Sequence, residues 1–159
     1  MLKSFALLAA LALVSAPISA DAESAAKEST TQENTVWRIV GEFEARGIRY
    51  LYVLVPKPQD DDALIALAED IHQSEPDAWL WLVDSDEHIA AAVAANQSGD
   101  MSQLPQEWLT QHTVGNSVLM LNPDRSRTWV LNAGSTRDNP VATLPCIDGK
   151  GLCKPAAKP

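Results

Sequence analysis

The sequence lacks several features that define well-known classes of protein. It has 12 Lys plus Arg against 21 Asp plus Glu, a net charge of −9, so it lacks the clustered positive charge that nucleic-acid binding requires. It contains no G-x-S-x-G elbow, no Gly-rich phosphate loop and no H-E-x-x-H pair. Its cysteines number two, and two thiols alone make a poor metal site. We therefore expect no nucleic-acid partner and no cofactor, and no known enzyme class is indicated.

Long apolar runs are also scarce, and the one that is present lies near the start of the sequence. Phe5 to Val14 is apolar, a lysine precedes it, and Pro17 and small residues follow it. This is the pattern of a secretory signal peptide over residues 1–22, with cleavage after Ala20 or Ala22. Ten apolar residues are too few to span a hydrocarbon core of about 30 Å. We expect a periplasmic or extracellular protein with no stable membrane anchor after cleavage.

The remaining sequence predicts one domain between two irregular ends. Residues 23–35 have no apolar periodicity and are typical of a flexible leader, whereas residues 36–132 alternate between strand and helix patterns. Residues 36–44 fit a half-buried strand, and a helical stripe remains an alternative there. The predicted order is β-β-α-β-α-β-β, an α+β two-layer sandwich whose mixed sheet has about five strands, with the helices on one face. Residues 133–159 are turn-rich and predict an irregular tail.

The pattern of elements over residues 36–132 resembles an uncharacterised family of small α/β domains in bacterial exported proteins. The segments that carry the resemblance are the hairpin VWRIVGEFEARGIRYLYVLVPK, the helix DDDALIALAEDI, the strand WLWLVD and the hairpin NSVLMLNPDRSRTWVL. The resemblance carries no catalytic motif. It implies a fold and no activity.

The two cysteines, Cys146 and Cys153, predict a disulfide in an exported chain. Two glycines between them allow a tight turn. Closing eight residues should contribute about 2.5 kcal/mol by restricting the unfolded chain. A redox-active dithiol would need a C-x-x-C spacing at a helix start, so we predict a structural bridge within the tail.

The densest polar cluster follows the strand Ala78 to Val83. Asp84, Asp86 and His88 could hold a divalent metal, together with His112, because sites gather at the carboxyl ends of parallel strands. An alternative needs no ligand: Asp84 would be the N-cap of a helix over Asp86 to Ala95, with Glu87 completing a capping-box variant. The second explanation accounts for every member of the cluster except His88.

Aromatic side chains point to a surface for binding. Trp79 and Trp81 lie on one side of their strand, and Tyr50 and Tyr52 share a side of the preceding strand. Two short helices can cover only one face of a five-stranded sheet, so the other apolar face must meet the tail, a second copy of the chain or a partner.

Carboxylates predict a second surface. Asp60, Asp61 and Asp62 begin one helix, and Asp84 to Glu87 follow the next strand, which places both groups at one edge of a parallel strand pair. Such an acidic rim suits association with a basic envelope protein, as in acidic inhibitors and immunity proteins. We predict an exported, non-enzymatic binding domain; the alternative is a small metal-dependent or acid–base hydrolase that uses the Asp84, Asp86 and His88 cluster.

Overall fold

The structure is a computed structural model that describes residues 37–147. In this part of the chain, six strands form one mixed sheet that is accompanied by three α-helices. The predicted fold class, an α+β domain on a mixed sheet, is confirmed. The strands are β1 (Arg38–Ala45), β2 (Ile48–Leu54), β3 (Trp79–Val83), β4 (Thr113–Leu121), β5 (Arg127–Ala133) and β6 (Pro140–Leu144). The helices are α1 (Asp61–Ser74), α2 (Ile89–Ser98) and α3 (Gln106–His112), with a 3₁₀ turn at Met101–Gln103.

The strands lie in the sheet in the order in which they occur in the chain. β2 and β3 are parallel and are joined by α1, so the predicted βαβ unit is present, while every other neighbouring pair is antiparallel. β1 is a strand and not a helix. It turns into β2 through Arg46 and Gly47, whose φ angles of 55° and 72° match the twist of a two-residue hairpin.

Helix α1 covers one face of the sheet and closes the larger core. Its apolar stripe, which includes Leu64, Ala68 and Ile71, packs on alternate residues of β2, β3 and β5. His72 belongs to the same stripe, is 1 % exposed, and packs its ring edge-on against Trp129. Because the imidazole is neutral when desolvated, a histidine can lie among these apolar side chains.

The opposite face, which we call the aromatic face, carries Tyr50, Tyr52 and Trp81 and holds a second core. Ile89 and Ala92 of α2 and Trp108 of α3 pack here. Gly41 of β1 permits the close approach of α2, because a Cβ at this position would lie 2.5 Å from Cγ2 of Ile89. The structure thus refines the predicted arrangement of helices: α1 lies on one face, whereas α2 and α3 lie on the other.

Three local features differ from the sequence-based expectation. The segment predicted as an irregular tail contains β6, which pairs with β5 and adds a sixth strand. The predicted order has two helices, but a third helix, α3, lies between α2 and β4. α2 begins at Ile89, with His88 as its N-cap residue. None of the helices in residues 37–147 has the length and apolar character needed to cross a bilayer.

Candidate functional site

The structure separates the residues that the sequence proposed as a metal site. Asp86 forms an ion pair with Arg38 of β1, and the His88 ring packs edge-on against Trp108. Within residues 37–147, no three His, Cys, Asp or Glu side chains are grouped so that they could hold a metal ion. Asp84 is not a helix N-cap either, because four residues separate it from the first turn of α2.

Asp84 pairs instead with His112, across the ends of β3 and α3. Oδ1 of Asp84 lies 2.8 Å from Nδ1 of His112, and the backbone N–H of Asp84 donates to the His112 carbonyl at 3.0 Å. The Trp108 ring stacks on the imidazole with centroids 5.1 Å apart. Nζ of Lys57 lies 3.7 Å from the other carboxylate oxygen. The pair therefore has a fixed geometry at the carboxyl ends of the parallel strands.

An aspartate that accepts from Nδ1 leaves Nε2 of the imidazole as the group that could exchange a proton with a ligand. The His112 side chain is 34 % exposed, so solvent reaches it. No Ser or Thr hydroxyl in the described part of the chain hydrogen-bonds to His112, so the arrangement is a carboxylate–imidazole pair without an attached nucleophile.

The acidic rim is present at one sheet edge, but its members are partly engaged in local contacts. Oδ1 of Asp60 accepts from the Ala63 N–H at 2.8 Å and so caps α1. Asp84 and Asp86 have the cationic or imidazole partners described above, while Asp61 and Asp62 face the positive end of the α1 dipole. Capping and ion pairs therefore account for most of this rim.

Trp81 and Trp79 have different surroundings. Trp81 packs with the aromatic-face core and has its ring 6.1 Å from Tyr52, so α2 and α3 close this part of the sheet within one chain. Trp79 begins β3 and contacts rings of both cores, 5.3 Å from Tyr50 and 6.4 Å from Trp129. A second copy of the chain is therefore not needed to cover Trp81.

The aromatic face also contains a groove above β4 and β5, which we call the β4–β5 groove. Asn116 pairs with Trp81 and Val118 pairs with Val130, which puts the floor of the groove on the same face as Trp81. The volume is about 450 Å³. The lining residues are Val118, Met120, Val130, Asn132, Arg137 and Pro140.

One wall of the groove comes from the loop between β5 and β6, which folds back over the sheet. The Asn116 side-chain N–H₂ donates to the carbonyls of Gly134 and Thr136, at 2.9 and 2.8 Å. Gly134 has a φ of 77°, a left-handed conformation that favours glycine and allows the reversal. The loop brings the guanidinium carbon of Arg137 to 5.4 Å from the centroid of the Trp79 ring, within the range of a cation–π contact.

The floor of the groove combines aliphatic side chains with one buried amide. Val118 is 6 % exposed and Asn132 is 2 % exposed, whereas Met120 at the open end is 50 % exposed. Nδ2 of Asn132 donates to Oδ1 of Asn116 over 3.4 Å, and Oδ1 of Asn132 has no hydrogen-bond partner among the described residues. The groove is therefore mainly apolar, with polar groups at one end.

Charge is distributed unevenly between the two parts of the described chain. Residues 37–112 hold fourteen carboxylates and four Lys or Arg side chains. Residues 113–147 hold two carboxylates, Asp124 and Asp138, and three arginines, Arg125, Arg127 and Arg137. The β4–β5 groove consequently lies in the part of the domain that is not acidic.

Trp79, which lies beside the groove, was identified from the sequence as a binding residue, but the groove itself was not predicted. Met120 and Val130 looked like ordinary members of alternating strands, and nothing local showed that the helices would leave them uncovered. Arg137 was placed in an irregular tail. The sequence does show that the strands are apolar on both faces and that there are too few helices to cover them. This pattern indicated that part of the sheet would be uncovered, but not which part.

Three further predictions involve residues outside the described range. The signal peptide at 1–22 and the leader at 23–35 both precede residue 37. Cys153 also lies outside, so its bridge to Cys146 stays a prediction; Sγ of Cys146 lies 3.7 Å from the Arg127 carbonyl oxygen.

Comparisons of the chain with protein-family models, with curated proteins and with solved structures found no match. The groove and the Asp84–His112 pair are the features of the described residues that bear on function.

Proposed function

We propose that this protein is an exported binding domain that holds an apolar portion of its partner in the β4–β5 groove. The observation that carries the proposal is the groove itself, which is mainly apolar, has a volume of about 450 Å³ and is covered by no helix of the described domain. This volume falls within the range of about 300–1,000 Å³ in which ligand sites are usually found. Export is part of the proposal and rests on the sequence of residues 1–22.

The aromatic face explains why binding and not core packing is the better account of these side chains. α2 and α3 bury Phe43 and Tyr52 on the β1–β3 half of this face. On the other half, Met120 stays half exposed and Val130 partly exposed. Exposed apolar surface of this kind commonly marks an interaction site.

Nile red, a neutral dye that fluoresces in apolar surroundings, tests access to the groove. Wild-type protein should enhance its emission, and Met120→Glu should abolish the enhancement because a carboxylate at the open end makes the groove polar. Met101→Glu is the matched control, since Met101 is also 50 % exposed but lies in the 3₁₀ turn. If both variants bind the dye as wild type does, the groove is not the binding surface.

The alternative function, acid–base hydrolysis, is favoured by one observation, the 2.8 Å contact between Asp84 and His112. In this proposal His112 is the general base and Asp84 orients it, while Asp86 and His88 have no part. Hydrolysis of p-nitrophenyl esters by the wild type, lost in His112→Gln and retained in His88→Gln, would support it. Equal rates of ester hydrolysis in the wild type and both variants, at the background level, would refute this alternative function.

A further inference from the structure

We infer that the occupant of the β4–β5 groove is an extended peptide segment of a partner protein, with an apolar side chain followed closely by a carboxylate. The inference rests on the proposed function and specifies its ligand. It assigns the apolar side chain to the floor of the groove and the carboxylate to Arg137.

Arg137 provides the anion-binding group. Its guanidinium lies over the Trp79 ring and lines the groove, and it forms no ion pair with any carboxylate in residues 37–147. A guanidinium in a cation–π contact keeps N–H groups at its edge, where they can bind a carboxylate through two parallel hydrogen bonds. A ligand carboxylate would therefore find a held and unpaired partner.

The charge distribution favours the same ligand. The part of the chain that builds α1, α2 and the acidic rim carries ten more carboxylates than basic side chains, so it repels an acidic segment. Residues 113–147 carry one more arginine than carboxylates. An acidic segment therefore meets less repulsion at β4 and β5, where the groove lies, than at the rim.

The shape of the groove favours a peptide over a fatty acid. Ligand pockets usually bury some 70–90 % of a small ligand's surface, but Met120, Arg137 and Pro140 at the margins are all exposed. An acyl chain in such an open groove would stay largely in contact with water. An extended peptide directs alternate side chains to one side, so it can place an apolar side chain on Val118 and Val130 while its backbone remains hydrated.

A random nine-residue peptide library displayed on phage tests the inference directly. The library is selected on the wild-type domain and counter-selected on Met120→Glu, whose groove is polar. We expect the enriched sequences to share a large aliphatic or aromatic residue with Asp or Glu within the next two positions. Enriched sequences without an acidic preference would refute the inference, and the absence of enrichment over Met120→Glu would refute it as well.

Synthetic versions of the enriched peptide then test the role of Arg137 by fluorescence anisotropy. Replacing the peptide's Asp by Asn should weaken binding to the wild type about fivefold. Arg137→Gln should remove this difference between the two peptides. Arg125→Gln removes the same charge from the same part of the chain but lies outside the groove lining, so it should keep the difference. A difference that persists in Arg137→Gln would refute the assignment of the carboxylate.

The outcomes separate this inference from the proposed function. If Nile red binds in the groove but the peptides show no acidic preference, the groove is a binding site and the inferred ligand is wrong. If decanoate displaces the peptide and binds more tightly than it does, the ligand is a lipid-like acid. If Nile red itself does not bind, the proposed function fails first.

Discussion

The close packing of α2 on β1 provides a quantitative test of the aromatic-face core. An added methyl group in Gly41→Ala would lie 2.5 Å from Cγ2 of Ile89, 2.9 Å from Cγ2 of Val93 and 3.4 Å from the Tyr52 ring. Carbon atoms prefer separations of about 3.5–4.0 Å, so α2 would have to move outward by roughly 1 Å. Overpacking of this kind costs about 1–3 kcal/mol.

The sign of this effect is informative because backbone entropy acts in the opposite direction. Where the native conformation suits alanine, Gly→Ala stabilises a protein by about 0.4–1 kcal/mol by restricting the unfolded chain. We therefore expect a net loss of about 1–2 kcal/mol for Gly41→Ala. Urea unfolding followed by tryptophan fluorescence should show a lower midpoint at an unchanged m-value.

A double-mutant cycle identifies the contact responsible. Ile89→Ala alone should cost about 2–4 kcal/mol because it leaves a cavity in the core. In the Gly41→Ala background the same substitution should cost less, since the new methyl group occupies part of that cavity, giving a coupling of about 0.5–2 kcal/mol. Strictly additive effects, or a Gly41→Ala protein as stable as wild type, would show that α2 does not pack here as described.

Three further predictions concern pH, the tail and the acidic rim. Burial lowers the pKa of His72, against the raising effects of the Pro145 carbonyl and Asp77. The unfolded chain then takes up the proton first, so the free energy of unfolding should fall as pH drops below about 6.5. The fall should be less steep in His72→Gln, and equal slopes of stability against pH in the two proteins would contradict this. Titration of denatured, unreduced protein should find no free thiol, whereas two thiols per chain would exclude the bridge between Cys146 and Cys153. If a basic partner binds the acidic rim, raising salt from 20 to 500 mM should slow association far more than dissociation; an on-rate indifferent to salt would remove this interaction.

The βαβ unit and the hairpins could be predicted from the sequence because short-range patterns determine them. The triplet of aspartates marks the start of α1, and Asp60 is its N-cap. Arg46 and Gly47 mark the first hairpin through a local backbone requirement. In each case a few neighbouring residues carry the information, so no knowledge of tertiary contacts was needed.

Helix α3 and strand β6 could not be predicted in this way. α3 is seven residues long, less than the length at which helical periodicity becomes clear, and its buried residues are Trp108 and Leu109. β6 is a strand because it pairs with β5, although it begins with a proline and Leu144 is its one buried residue. Both elements depend on tertiary contacts that local sequence does not encode.

The candidate sites were harder to predict than the fold because each brings together distant segments. Asp84 and His112 are 28 residues apart, and α3, which sequence analysis did not predict, positions the histidine. The groove depends on where α2 ends its coverage of the sheet and on the fold-back of the loop that carries Arg137. Spacing within a single segment could not show either arrangement.

The distribution of helices links the fold to its proposed function. α1 needs one whole face for the larger core, and α2 with α3 is long enough to cover only the β1–β3 half of the other face. Polar side chains could occupy the remaining half at little cost in stability, because β4 and β5 already pack against the α1 core through their other face. It is instead aliphatic at Val118, Met120 and Val130, with an arginine held over a tryptophan at its margin. Folding alone does not require this combination, which is an argument in favour of the proposed binding function.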